Sequence, residues 1–422
     1  GMLVQSMYNL VDTIFVGQGV GTLALAALAV CFPIQMVLLA VGKTVGIGSA
    51  SIISRKLGAG REEEAGLIAG GSFALAGILG LTISATGLIF TRQVLGLFGA
   101  DSQIMPYAVD YLSIVLISGT FFSVTVCSND LARSEGNAKV AMISMFMGAG
   151  VNIVLDPILI FGLNMGIKGA ALATVIGQFS AFVWITSYFF MKGRSNLRFR
   201  CRHLLPRLQQ SLEVLKIGAP AFARIVGRSL MALVVNNVVM HYGLPMHLAI
   251  LGIVNRLLTF ALMPVFGLVQ GLQPIVGYNY GAGLYKRVRK GLKYAVFSAT
   301  ALTVSYFILF EAAPGFMLNL FSKDRELISA GKGILRMVVL MMPVVGLQVI
   351  GAGTFQALGK AGIALLLSIS RQMLFLIPLA LVLPLLVTPP LSGVWMAFPA
   401  ANLLAACVTV YFFWKKVGDI VR

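Results

Sequence analysis

Residues Ala65–Phe90 read AGLIAGGSFALAGILGLTISATGLIF, twenty-six residues without one charged side chain. As a helix rising about 1.5 Å per residue the stretch is about 39 Å long, more than the roughly 30 Å of hydrocarbon in a bilayer. Gly169–Met191 is a second charge-free stretch of the same kind. The whole chain follows suit, with 58% of 422 residues hydrophobic and only 11% charged, against roughly 25% charged in a soluble domain. So few charges cannot cover the surface of a soluble protein of this size. A soluble enzyme, a disordered chain and a collagen-like fibre are excluded, and the lipid bilayer is the expected surroundings.

Twelve apolar segments are predicted as helices near 2–16, 23–50, 65–90, 107–129, 140–162, 169–191, 212–240, 248–274, 292–312, 333–357, 361–387 and 391–414. The fold class is therefore an all-α polytopic membrane protein. Met2–Phe15 is too short to span, so the first helix is expected to begin before Gly1. A charged n-region and a cleavage site are lacking, and no signal peptide is expected. The net charge of +18 would suggest nucleic acid in a soluble chain. Here the even-numbered loops and the C-terminal tail carry 21 Lys and Arg, against 5 in the odd-numbered loops. That asymmetry predicts cytoplasmic even loops and cytoplasmic termini, and no nucleic-acid partner.

An offset of 223 residues recurs along the chain. Gly58-Ala59-Gly60 falls on Gly281-Ala282-Gly283, Leu97-Phe98 with Asp101 on Leu320-Phe321 with Asp324, and Gly136 with Ala138 on Gly359 with Ala361. With one inserted residue, Gly169 meets Gly393 and Ala181 meets Ala405. The predicted organisation is a six-helix lobe over 1–191, a basic cytoplasmic linker over 192–211 and a second six-helix lobe over 212–422. An even number of spans per half makes the repeats parallel, an arrangement that places substrate between the halves and alternates access by rocking.

An ionised Asp at the bilayer centre costs roughly 2.5–3.5 kcal/mol on insertion scales, so mid-span acids mark function. Asp12 and Asp156 are read as the two acids well inside spans. Gln5, Tyr8 and Asp12 share one helix face, as do Asn152 and Asp156, with Pro157 next. Thr174 and Gln178 repeat the spacing on the sixth span, and Ser128 and Asn129 end the fourth. One polar pocket inside the first lobe is expected. Paired carboxylates repel and burial disfavours their charged forms, so such a pair can pick up and release a proton. The same oxygens are hard ligands that suit Na⁺. The second half lacks a mid-span acid and carries Arg224, Arg228, Arg256, Arg336 and Arg371. Holding that lobe together is favoured over anion binding as their role. The four cysteines lack metal-ligand spacing, and Gly42-Lys43-Thr44 lacks the glycine a phosphate loop needs at position 37. Energy must therefore come from an ion gradient.

Together these residues resemble the multidrug and toxic compound extrusion family. The similar motifs are Tyr8-Asn9-Leu10-Val11-Asp12 leading to Phe15-Val16-Gly17, Leu57-Gly58-Ala59-Gly60-Arg61, Asn152 through Pro157, Gln273-Pro274, and Gly277 through Ala282. The resemblance implies twelve helices in two lobes around a central cavity, exporting bulky, often cationic organic compounds in exchange for H⁺ or Na⁺ across a bacterial inner membrane. It maps a cation site onto Asp12, Asn152, Asp156 and Thr174, with Tyr8 and Asn129 as neighbouring polar positions, to which the helical spacing adds Gln5 and Gln178. A cofactor is not implied beyond the coupling ion, and a monomer is expected. The seventh helix departs from some branches, with Arg224 and Arg228 and no acid between Leu215 and His241. A flippase for lipid-linked oligosaccharides or cell-wall precursors is the nearest alternative, and a non-transporting scaffold or receptor the next.

Overall fold

In lipid every backbone N–H and C=O must be satisfied within the segment, which leaves helices as the solution for apolar runs of this length. The computed structural model describes residues 15–191, 193, 195, 197 and 201–417, and among them there are helices and no strands. Among the described residues nine helices are long and apolar enough to cross a membrane, or eleven when each of two bent pairs counts as one span. The first predicted span lies almost wholly outside the described residues, and Gln5, Tyr8 and Asp12 lie outside them with it.

The chain divides into one compact unit reaching to Phe222 and another from Ala223 onward. In the first, α1 (Thr22–Gly58) and α2 (Glu62–Ile89) are followed by a short α3 (Thr91–Leu97). Next come α4 (Met105–Ile117) and α5 (Gly119–Ser134), then α6 (Ala138–Pro157) and α7 (Gly166–Phe190). α8 (Leu208–Tyr242) carries the unit boundary. The second unit continues with α9 (Pro245–Gly281), α10 (Tyr285–Ala312), short α11 (Pro314–Asn319), α12 (Arg325–Val339) and α13 (Met342–Ala357). It closes with a broken span, α14 (Ala361–Ile369), a π-helical stretch Ser370–Leu376 and α15 (Ile377–Leu386), followed by α16 (Pro390–Phe412).

The 223-residue offset reappears in the helix bounds: α1 superposes on α9, α2 on α10, and the starts of α3, α5 and α6 on those of α11, α13 and α14. The bent pairs correspond too, α4 with α5 at 55° and α12 with α13 at 46°. The sequence anchors now have physical roles. Gly60 and Gly283 adopt φ of 74° and 71°, and Gly136 and Gly359 adopt 91° and 75°. These are left-handed helix ends that favour glycine. Asp101 Oδ1 accepts from the N–H groups of Gln103 and Ile104 at 2.9 and 2.8 Å. Asp324 Oδ1 accepts from Glu326 and Leu327 at 2.9 and 3.3 Å. Each aspartate thus caps the entry to the bent pair of its own half.

Each unit has its own apolar core. Cys31, Leu38, Leu112, Leu116 and Ile160 pack together in the first, and Val254, Leu335, Val338 and Trp395 in the second. Apolar area contributes little to helix association inside lipid, so close approach through small residues matters more. A Cβ at Gly42 would lie 2.9 Å from Val126 Cβ, and one at Gly46 3.0 Å from Cys127 Cα, which seats α1 directly on α5. The segment after α7 also packs locally. A 3₁₀ turn spans Cys201–Leu204, and the buried His203 lies against Gly70 of α2.

Candidate functional site

α6 and α7 cross at glycines. A Cβ at Gly177 would stand 2.6 Å from the Gly148 carbonyl oxygen and 3.2 Å from Asn152 Cβ. That closeness brings Asn152 against Thr174 across the helix pair, while Asp156 lies one turn along α6. Asn152 is 1% exposed, Asp156 0% and Thr174 4%. Asn152 Nδ2 lies 3.3 Å from Asp156 Oδ1 and 3.4 Å from Thr174 Oγ1. With the amide turned over, its nitrogen donates to Asp156 Oδ2 at 3.2 Å and its oxygen accepts from the Thr174 N–H at 3.2 Å. In either orientation the amide joins the carboxylate to the sixth-span threonine. The helix then passes Pro157 into a π-helical turn, Ile158–Gly162. A proline removes an N–H and turns of this kind recur at functional positions.

Beside this cluster the first unit encloses a cleft of about 1120 Å³ including its open mouth. Asn129, Asn152, Thr174 and Gln178 all line it, so four of the sequence-predicted positions meet at one place. Asn129 Oδ1 is buried without a hydrogen-bond partner, and Gln178 Oε1 accepts from Ser118 Oγ at 2.5 Å. Gln35, which donates to the Tyr111 hydroxyl at 3.3 Å, adds a further amide. Phe32, Met36, Phe122 and Met145 supply the apolar wall. Few fixed polar groups in a large apolar and aromatic wall is the general form of a small-molecule site. Methionine lets such a wall adapt to different shapes.

The structure corrects one expectation. Sequence periodicity ends the fourth span at 129, but the chain bends at Ser118 and α5 runs on to Ser134, so Asp130 lies within it as a further buried acid, 4% exposed. Lys43 Nζ donates to its two oxygens at 3.0 and 3.1 Å, and Arg133 Nη1 joins Oδ1. Gly46 leaves room for this carboxylate, since a Cβ there would stand 2.7 Å from Asp130 Oδ2. The available signal was Lys43 itself: a lysine in the middle of a span needs a counter-charge, and Asp130 is an acid close to the end of a neighbouring span. Lys43 also lines the cleft. Among the described residues no group of three or more His, Cys, Asp or Glu is placed to hold a metal ion.

Comparison with known proteins adds a family and relatives. The MatE family model matches residues 1–158 and 220–382, one stretch in each half. Multidrug export protein MepA of Staphylococcus haemolyticus is 30% identical over 98% of this chain and 90% of its own length. MepA of Staphylococcus aureus is 29% identical over 99% of this chain and 92% of its own. A crystal structure of MATE in the bent conformation aligns with a TM-score of 0.94 at 26% identity, covering 100% of this chain and 93% of that one. The outward-facing conformation of a multidrug resistance MATE family transporter aligns at 0.93 and 26%, with the same coverage.

Proposed function

Because the chain belongs to the MatE family, and is a membrane transporter of the multidrug efflux kind and not an enzyme, we propose that it exports bulky, often cationic organic compounds in exchange for H⁺ or Na⁺, with coupling in the first lobe. The observation that carries this reading is the buried Asp156, linked through Asn152 to Thr174 at the edge of an amphipathic cleft. A carboxylate without exposure to water needs a proton, a cation or hydrogen-bond donors to stay there. Asp12, the other acid of the family's pattern, completes the proposed ion site with Asn152, Asp156 and Thr174. Asn129 and Gln178, with Tyr8 and Gln5, belong to the neighbouring polar surface.

In the proposed cycle ion binding neutralises the carboxylates on the extracellular side, and the neutral site lets the lobe repack and shed its substrate. Return to the cytoplasmic side releases the ion and restores the charge. An inward-moving charge supplies about 2.3 kcal/mol per 100 mV before any concentration term. The transporter is proposed to act as a monomer with both termini in the cytoplasm, and needs no cofactor beyond the ion. Asp156→Asn and Asp12→Asn are each expected to abolish drug resistance in a pump-deficient bacterial host while membrane expression stays normal. Resistance at parental level from both variants would remove the coupling site from the first lobe.

A further inference from the structure

Two guanidiniums in the second lobe are not used by the reading above. Arg228 lies 14 residues before the end of Leu208–Tyr242, and Arg371 lies ten residues after the start of the broken span Ala361–Leu386. At about 1.5 Å per residue these depths are about 21 and 15 Å from the helix ends, well inside a 30 Å hydrocarbon layer. Arginines at such depth face a protein interior or a water-filled space, because the lipid offers them nothing. The two belong to one place. A Cβ at Gly227 would lie 3.2 Å from Met373 Sδ and 3.4 Å from Gln372 Oε1, so α8 crosses the π-helical stretch there, one residue before Arg228 and one after Arg371.

Like charges brought together inside a membrane call for a counter-ion, and this lobe does not provide one. From Ala223 onward its acids are Glu311, Asp324, Glu326 and Asp419. Glu311, at the end of α10, is paired with Arg336 at 3.5 Å. Asp324 caps α12, Glu326 sits in its first turn, and Asp419 is in the C-terminal tail. Among the described residues neither Arg228 nor Arg371 makes an ion pair or donates a hydrogen bond, and Arg228 instead lies over the Phe266 ring at 5.9 Å. Beside them Gln372 Oε1 is buried without a partner, in a residue 4% exposed. Arg336 behaves differently, since its Nε and Nη2 reach the Glu311 carbonyl at 3.3 and 3.1 Å and tie α12 to α10.

We propose that Arg228 and Arg371 form an oxyanion-binding site in the second lobe, which takes the carboxylate or phosphate of an amphiphilic substrate whose aromatic body packs against Phe266 and Met373. A planar guanidinium pair suits the two oxygens of such a group. The inference rests on the transport reading and narrows its substrate class. Compounds that carry an acidic group besides a cationic ring system are the class it favours over purely cationic ones.

The test is a matched pair of dyes, rhodamine 110, which carries a free carboxylate, and rhodamine 123, its methyl ester. Binding to the full chain is read by fluorescence anisotropy in nanodiscs of phosphatidylcholine, with and without phosphatidylglycerol. The parent is expected to prefer the acid by about tenfold, the value of about one charge-assisted contact. Arg228→Gln and Arg371→Gln are each expected to bring the ratio close to one, and Arg371→Lys to restore part of it. If phosphatidylglycerol competes with the acid in the parent and not in Arg228→Gln, the site is supported with a lipid headgroup as its occupant. Absence of that competition, with the acid preference intact, supports a free organic acid. A ratio near one in the parent without any effect of phosphatidylglycerol, or a preference unchanged in both Gln variants, overturns the site. Failure of the transport reading shows separately: the parent would then bind the acid without exporting either dye on any ion gradient. Export of the ester by a parent blind to the carboxylate leaves transport standing and removes the anion site.

Discussion

Asp130 shows what a single buried charge demands. Its carboxylate is shared between Lys43 and Arg133, all three largely screened from water. Breaking a buried pair by deleting one partner costs about 3–5 kcal/mol, because the other charge remains buried and unmatched. Asp130→Ala is therefore expected to lower the thermal unfolding temperature of the detergent-purified protein strongly. Asp110→Ala, at a surface carboxylate whose pair with Lys168 is exposed, should barely move it. Equal melting of the two variants would show that the Lys43 cluster does not hold α1 to α5. At this scale the sequence was partly legible. The i, i+4 spacing of Asn152 and Asp156 placed both on one face, and Thr174 and Gln178 followed the same rule. Asp130 was legible only through Lys43, because apolar periodicity fades before Asp130 while the helix, started afresh at Gly119, continues to Ser134.

Helix crossings carry the site, and glycines decide how near they come. Gly177→Ala places a methyl 2.6 Å from the Gly148 oxygen, so α6 and α7 must separate and Asn152 must leave Thr174. Overpacking of this kind costs about 1–3 kcal/mol. Gly150→Ala, on α6 with open space around it, is expected to be neutral or slightly stabilising. Dye efflux and melting temperature measured on both variants check this contrast, and equal behaviour of the two would contradict it. Span number and helix order could be read from apolar runs, since the bilayer imposes their length. The 55° and 46° bends could not, because they depend on how each half packs, although the proline at the start of α13 marks one of them. The π-helical break at Ile158–Gly162 follows Pro157, which the sequence shows, whereas no proline precedes the one at Ser370–Leu376 within its span.

On the scale of the whole molecule the halves share a scaffold and differ in charge. Helix starts repeat at 223 residues, yet the buried acids Asp130 and Asp156 belong to one half and the mid-span arginines Arg228 and Arg371 to the other. Caps and glycine ends recur in both halves, while the ionisable residues differ. On the proposed topology the basic excess of +18 marks the cytoplasmic side through its 21 loop and tail residues. In a cysteine-free background, Lys290→Cys is expected to react with a membrane-impermeant maleimide only in inside-out vesicles, and Lys323→Cys only in intact cells. The reverse pattern would invert the topology. The central claim is that an ion bound at the first-lobe carboxylates drives export. It is tested most directly by dye efflux in proteoliposomes under a pH gradient and a sodium gradient imposed separately. One gradient is expected to drive efflux by the parent, and neither by Asp156→Asn. Undiminished gradient-driven efflux by Asp156→Asn would contradict the account.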